Sequence, residues 1–211
     1  MTGKFLTLEG TEGAGKSTNL SFIKAWLTEQ GIDVISTREP GGTEIGEAVR
    51  GILLNQTYTE MHEDTELLLM FAARAQHLRE KILPALAEGK WVISDRFTDA
   101  SYAYQGAARG MGFERIAEIE QWVQQGVHPD TTFVFDLPIE IGMARVASRG
   151  GETDRFEQEK FDFFEKVRGA YLTRAQQVPE RYQVLDASQS LEAVQASIVT
   201  RLQSLIKASQ L

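Results

Sequence analysis

The stretch "LTLEGTEGAGKSTNL", residues 6–20, passes from an apolar, β-prone run through a glycine-rich turn into the start of a helix. Glycine inside regular structure costs roughly 0.5–1 kcal/mol relative to alanine, so Gly10, Gly13 and Gly15 in such close succession need a reason beyond chain reversal. Residues 10–17, "GTEGAGKS", match G-x-x-x-x-G-K-[ST] without a mismatch, in the strand-to-helix context that the pattern requires. There the backbone N–H groups of Gly10, Thr11, Glu12, Gly13, Ala14 and Gly15 can turn inward around phosphate oxygens, and the following helix aims its positive end at the same anion. Lys16 then reaches the β- and γ-phosphates, the Ser17 hydroxyl is a candidate Mg²⁺ ligand, and Thr18 completes the nucleotide-holding segment. A merely flexible turn is the bland alternative, and the agreement of motif with context weighs against it. The motif serves motors, switches, ATPases and kinases alike, so other residues must name the reaction.

Working outward, β-like runs recur at 4–9, 32–37, 91–95, 131–137 and 182–186, separated by helical periodicity at 16–30, 43–55, 62–88, 113–126, 138–149, 157–177 and 190–207. Nearly continuous apolar strands alternating with helices predict a three-layer α/β/α sandwich around a five-stranded parallel sheet. Nothing resembles a linker or repeat, so residues 1–211 are expected to form one domain. Pro84 should kink or end the helix at 62–88. The polar, glycine-containing, basic stretch "ASRGGETDRFE" (147–157) has the composition of a short mobile lid.

The absence of cysteine excludes a disulfide framework and thiolate chemistry, and His62, His77 and His128 show no metal-ligand spacing. A net charge of −8 argues against broad nucleic-acid binding. No basic leader and no apolar run of about 18 residues is seen, so no membrane association and a cytoplasmic location are expected. Any anionic ligand must therefore be held by local arginines and backbone amides.

Such arginines cluster at the predicted strand ends. "TREPGGTEIGEAVR" offers Arg38, Glu39 and Arg50 to the crevice where open α/β sheets bind ligands. "MFAARAQH" places Phe71 and Arg74 on one helix face, a ring beside a bidentate donor. "SDRFTDASYAYQG" supplies Asp95, Arg96, Ser101, Tyr104 and Gln105, while the lid carries Arg149 and Arg155 with Glu157 beyond. Each has a plainer alternative: Phe71 as core, Arg74 as a surface ion pair, Asp95 as a helix cap, and Arg149 and Arg155 as solvated loop charges. Together they suit a second phosphorylated substrate beside the phosphate loop.

"LEGTEGAGKST", "TREPGGTEIGE", "DRFTDASYAYQG" and "DRFEQEKFDFFEKVRGAYL", in this order and spacing, resemble the signatures of the bacterial thymidylate kinase family over essentially the whole chain. The resemblance implies transfer of the γ-phosphoryl group of ATP, with Mg²⁺, to dTMP, giving dTDP and ADP in dTTP biosynthesis. It implies that residues 10–17 hold the ATP phosphates and that Arg96 contacts the dTMP phosphate, with Arg38 and Arg50 as further candidates. Arg74 and Gln105 would bond the thymine edge near Ser101; Asp95 would stand near the metal, and Glu157 near the sugar or metal. The loop lacks an arginine between Gly10 and Lys16, which shifts the expected transfer arginine to the lid, Arg149 first and Arg155 second. The family's stacking aromatic lies four residues before the helix arginine, where this chain has Met70, and Phe71 stands one residue later. Relatives are homodimers, so a homodimer is expected. The nearest rivals are a kinase for another nucleotide and a nucleotide-dependent switch; a guanine-reading "NKxD" is absent from the chain.

Overall fold

A computed structural model of the protein describes residues 3–149 and 154–208, apart from the side chain of Arg149. Strand β1 (Phe5–Glu9) is buried at every position, which a strand achieves only with neighbours on both edges and cover on both faces. The chain continues through α1 (Lys16–Glu29), β2 (Val34–Arg38), α2 (Glu44–Leu54) and α3 (Glu63–His77). A π-helical turn (Leu78–Ile82) leads into α4 (Leu83–Ala87), then β3 (Trp91–Asp95), α5 (Thr98–Ser101) and a second π-helical segment (Tyr102–Ala108). It ends with α6 (Phe113–Gln124), β4 (Thr131–Asp136), α7 (Ile139–Arg149), α8 (Phe161–Gln177), β5 (Tyr182–Asp186) and α9 (Leu191–Ala208).

The five strands form one sheet in the order β2-β3-β1-β4-β5, every pairing parallel. Alternation along β1 sorts its side chains between the two covering layers. Leu6 and Leu8 pack with Ile23 and Leu27 of α1 and with Ile198 and Leu202 of α9. Phe5 joins Leu78, Ile82, Val92 and Phe97 instead. Each buried leucine or isoleucine in these layers contributes about 1.5–3 kcal/mol by leaving water. The expected sandwich is thus present, with the carboxyl ends of β1, β2 and β3 opening on one crevice.

Three local details refine these expectations. The distortion expected at Pro84 is a widened π turn just before it, at Leu78–Ile82, where a missing proline N–H and the bulk of its ring are most easily absorbed, and α-helix resumes at Leu83–Ala87. Helical structure from Thr98 to Ala108 was not foreseen. The helix expected from 157 starts at Phe161, because the Asp154 carboxylate captures the N–H groups of Phe156 (2.8 Å) and Glu157 (2.9 Å) in a turn.

Candidate active site

The glycines of the loop answer to both backbone shape and close approach. Gly10, Gly13 and Gly15 have φ of 140°, 74° and 86°. A Cβ on Gly10 would sit 2.6 Å from the Phe135 carbonyl oxygen, and one on Gly13 would sit 2.4 Å from that of Gly142. The loop is therefore wedged between β4 and α7 with no room for a side chain on either wall. Lys16 opens α1 and folds its Nζ back onto the carbonyls of Gly10 (3.0 Å) and Thr11 (2.8 Å). Burial, reinforced by Arg96, draws its pKa down to about 8, against the opposing pull of Asp95, Glu12 and Glu9.

Strand register brings Asp95 beside both Leu8 of β1 and Arg38 of β2. Its Oδ1 is buried without a hydrogen-bond partner, and no side chain caps α5, so Asp95 is not a helix cap. Arg96 takes a left-handed backbone, φ 68°, rare for a residue with a side chain and worth about 1–3 kcal/mol of strain. That turn aims its guanidinium back at the loop, where it donates to Gly10 O (3.0 Å), Tyr171 OH (3.0 Å) and Glu12 Oε1 (2.6 Å) over the Tyr104 ring. Tyr104 also donates to Glu12, at 2.7 Å. Burial pushes the Tyr104 and Tyr171 hydroxyls well above their usual range and keeps them as donors. Beneath them lies Glu9, fully buried, accepting from Phe97 N (2.7 Å) and Tyr171 OH (2.9 Å). Burial, with Asp99 adding, raises the Glu9 pKa to about 8.

Two cavities meet here. The larger joins the loop from Glu12 to Thr18 to Arg38, Arg50, Asp95, Arg96 and Glu157. The smaller runs from Arg96 to Met70, Arg74, Ser101, Tyr104 and Gln105. Glu12, Glu39, Arg50, Arg96 and Asp154 line both.

Arg74 is no surface pair: it is buried, with Nε on Glu39 Oε2 (2.7 Å) and its other nitrogens on Ser101 Oγ and Phe97 O, each at 3.1 Å. Glu39 is shared with His77 Nδ1 at 2.9 Å, whose Nε2 meets Thr37 Oγ1 at 2.7 Å. Gln105 is buried with its Nε2 on Glu66 Oε1, at 2.7 Å. Phe71 does not reach the cavity. It packs with Leu67, Tyr102 and Ile116, and the Arg74 guanidinium covers its ring at 4.5 Å, whereas Met70 lines the cavity. One position along a helix turns a side chain by about 100°, enough to separate the two.

Arg155 also departs from expectation. Its guanidinium is held by Glu66 (2.6 Å) and by the Leu53 carbonyl (2.9 Å), away from the phosphate loop. The Arg149 side chain and residues 150–153 lie outside the described residues. Arg145, which sequence reasoning passed over, lines the larger cavity and donates to the Gly13 carbonyl at 3.2 Å. Its signal was its spacing, one turn before Arg149 on the helix that abuts the loop.

A family model described as thymidylate kinase matches residues 8–198. The chain belongs to the thymidylate kinase family. It is 60% identical over 207 residues to the thymidylate kinase of Pseudomonas putida (strain GB-1), covering 98% of each chain. It is 59% identical over 208 residues to that of Ectopseudomonas mendocina, covering 99% of each. Among solved structures, thymidylate kinase from Ehrlichia chaffeensis matches with a TM-score of 0.78 at 30% identity, covering 96% of this chain and 99% of that one. The protein is accordingly an enzyme that phosphorylates dTMP, using ATP. Among the described residues, no helix of this thymidylate kinase family member is long and apolar enough to cross a membrane.

Proposed function

We propose that ATP is held by residues 10–18 and dTMP by the smaller cavity, with transfer across the wall that the two cavities share, in a single domain whose lid spans about 147–157. The observation that carries this is the shared wall itself: Arg50 and Arg96 border both spaces, so an anion at their junction faces the phosphate loop. The nucleophile is an oxygen of the dTMP phosphate, which is already largely ionised because a monoester's second pKa is about 6. No general base is required. The task is electrostatic, and Lys16, Arg96 and a basic residue of α7 or the lid stabilise charge on the transferred group.

Arg50, Arg96 and Arg38 meet the acceptor phosphate; Arg74, Gln105 and Ser101 meet the base edge, with Met70 against its face. Tyr104 and Glu39 position Arg96 and Arg74, and Glu157 borders the sugar side. Arg149 is the lid arginine, because Arg155 is engaged by Glu66. Mg²⁺ fits beside Ser17 and Asp95: the orphaned Asp95 oxygen and the Ser17 hydroxyl border one cavity, and one carboxylate with a hydroxyl, substrate phosphates and water is the donor set this ion takes. When bound, it neutralises the phosphates of the donor. Among the described residues no cluster of three acidic or imidazole ligands offers a metal site independent of substrate.

The enzyme works as a cytoplasmic homodimer in dTTP biosynthesis. Support for the dimer comes from Leu68 of α3 and Trp122 of α6, 58% and 76% exposed, which border one groove with Leu67 and Ile119. The test is transfer of label from γ-labelled ATP to a panel of dTMP, dUMP, dCMP, AMP and GMP. Label should appear in dTDP at the highest rate, and equal or faster transfer to a purine would overturn the assignment. Arg149→Ala should lower kcat by about 10³-fold or more.

A further inference from the structure

We propose that Glu66 is the positioning residue that sets pyrimidine selectivity, by fixing which end of the Gln105 amide faces the substrate cavity. The inference rests on the assignment of Gln105 to the base edge. Glu66, on the first turn of α3, is 1% exposed and lies outside both cavities. Its carboxylate is surrounded by three donors, two from the π-helical segment and its cap and one from the segment after α7. Gln105 Nε2 reaches Oε1 at 2.7 Å, Arg155 Nη2 reaches Oε2 at 2.6 Å, and Arg109 approaches the two oxygens at 3.4 and 3.3 Å.

An ionised carboxylate only accepts hydrogen bonds, so an amide facing it must present nitrogen. The amide oxygen of Gln105 is then turned the other way, toward the cavity that Gln105 lines. A base that offers an N–H at ring position 3, as thymine and uracil do, meets an acceptor there. Cytosine offers a lone pair at that position and meets a repulsive oxygen. Arg74, a pure donor, suits the adjacent carbonyl of thymine on the same logic. A free glutamine side chain would flip to suit either base; Glu66 removes the choice.

The arginines explain why a carboxylate serves and an amide would not. Arg155 and Arg109 both need an acceptor at this buried point. If position 66 carried glutamine, its single oxygen would turn to Arg155 and its NH₂ would face Gln105. Gln105 would then rotate to accept that hydrogen, placing its own NH₂ in the cavity, where it complements cytosine. Arg155, within the lid segment, is held by Glu66 at 2.6 Å and does not itself set the orientation of the Gln105 amide.

The test is kcat/KM for dTMP and dCMP in the parent, Glu66→Gln, Glu66→Asp, Arg155→Gln and Gln105→Ala. Glu66→Gln should narrow the dTMP-to-dCMP ratio by about tenfold or more, chiefly through KM, since a site built to bond one edge discriminates strongly against another. Glu66→Asp keeps the charge for the arginines but withdraws the acceptor by one methylene, and should narrow the ratio by a smaller factor. Arg155→Gln leaves the carboxylate on Gln105, and its ratio should stay within about twofold of the parent. A parental ratio in both folded Glu66 variants, with Gln105→Ala collapsing it, would overturn the role of Glu66 alone. A parental ratio in Gln105→Ala would instead overturn the base-edge assignment on which it rests.

Discussion

On the proposed placement of ATP and dTMP, the two ends of the cleft are built on opposite principles. At the phosphate end, Lys16 rests on the carbonyls of its own loop and Asp95 keeps a buried oxygen without a partner. At the base end, Arg74 and Gln105 are each locked by a buried carboxylate, Glu39 and Glu66, before any substrate arrives. The base is a rigid, neutral shape recognised by its edge, so prebuilt donors and acceptors lower the ordering cost of binding. A phosphoryl group in transfer moves and redistributes charge, so its partners must be able to leave weaker contacts for it. Substitutions at the two ends should therefore fail in different ways.

The largest effect is expected at Lys16. Lys16→Ala should lower kcat by about 10³-fold with dTMP affinity nearly unchanged, as measured by single-turnover transfer and by nucleotide titration. Arg74→Leu should show the contrary pattern. It leaves the buried Glu39 without its main partner, so stability should fall by about 3–5 kcal/mol in denaturant melts and the KM for dTMP should rise. Were Arg74→Leu to lose kcat alone, the division between the two ends would be broken.

Asp95→Asn should cost roughly 10²-fold in kcat and raise the Mg²⁺ concentration needed for half-maximal rate. A smaller contrast separates neighbours on α3. Phe71→Leu should lose about 1 kcal/mol of stability with KM preserved, while Met70→Ala should raise the KM for dTMP several-fold. The last contrast is one of pH dependence. The folded state raises the Glu9 pKa from 4.5 to about 8, so it binds a proton that the unfolded chain has released in between. That contribution to stability is complete below the unfolded value and is lost as pH rises to about 8. Glu9→Gln fixes the neutral form, and its stability relative to the parent should rise steadily from about pH 5 to 8 in thermal melts.

The phosphate loop was legible because its constraints are local: positive φ, close approach and helix start all fall within residues 10–17. The sheet was legible from strands too apolar to have a wet face. Asp95 and Arg96 were placed at the crevice because a strand end marks it, and they line its cavities, although nothing local foretold the left-handed turn at Arg96. What escaped depends on distance. The stretch "SYAYQG" falls outside every predicted strand and helix, yet Tyr102, Ala103, Tyr104 and Gln105 are all buried in a helical segment among α3, α6 and α8. Arg155 reads as a free basic residue of a lid until Glu66, 89 positions earlier, is seen to hold it. Phe71 and Met70 differ by one position, and periodicity alone does not resolve which of two adjacent apolar residues lines the cavity and which the core.

The central claim is that the base end is prebuilt and the phosphate end rearranges. A crystal structure of the enzyme with dTMP, Mg²⁺ and a non-hydrolysable ATP analogue tests it most directly. Lys16 Nζ should leave the Gly10 and Thr11 carbonyls, now at 3.0 and 2.8 Å, for phosphate oxygens, while the Arg74–Glu39 and Gln105–Glu66 bonds stay near 2.7 Å. Lys16 still seated on its own loop, or either carboxylate lock opened by dTMP, would contradict it.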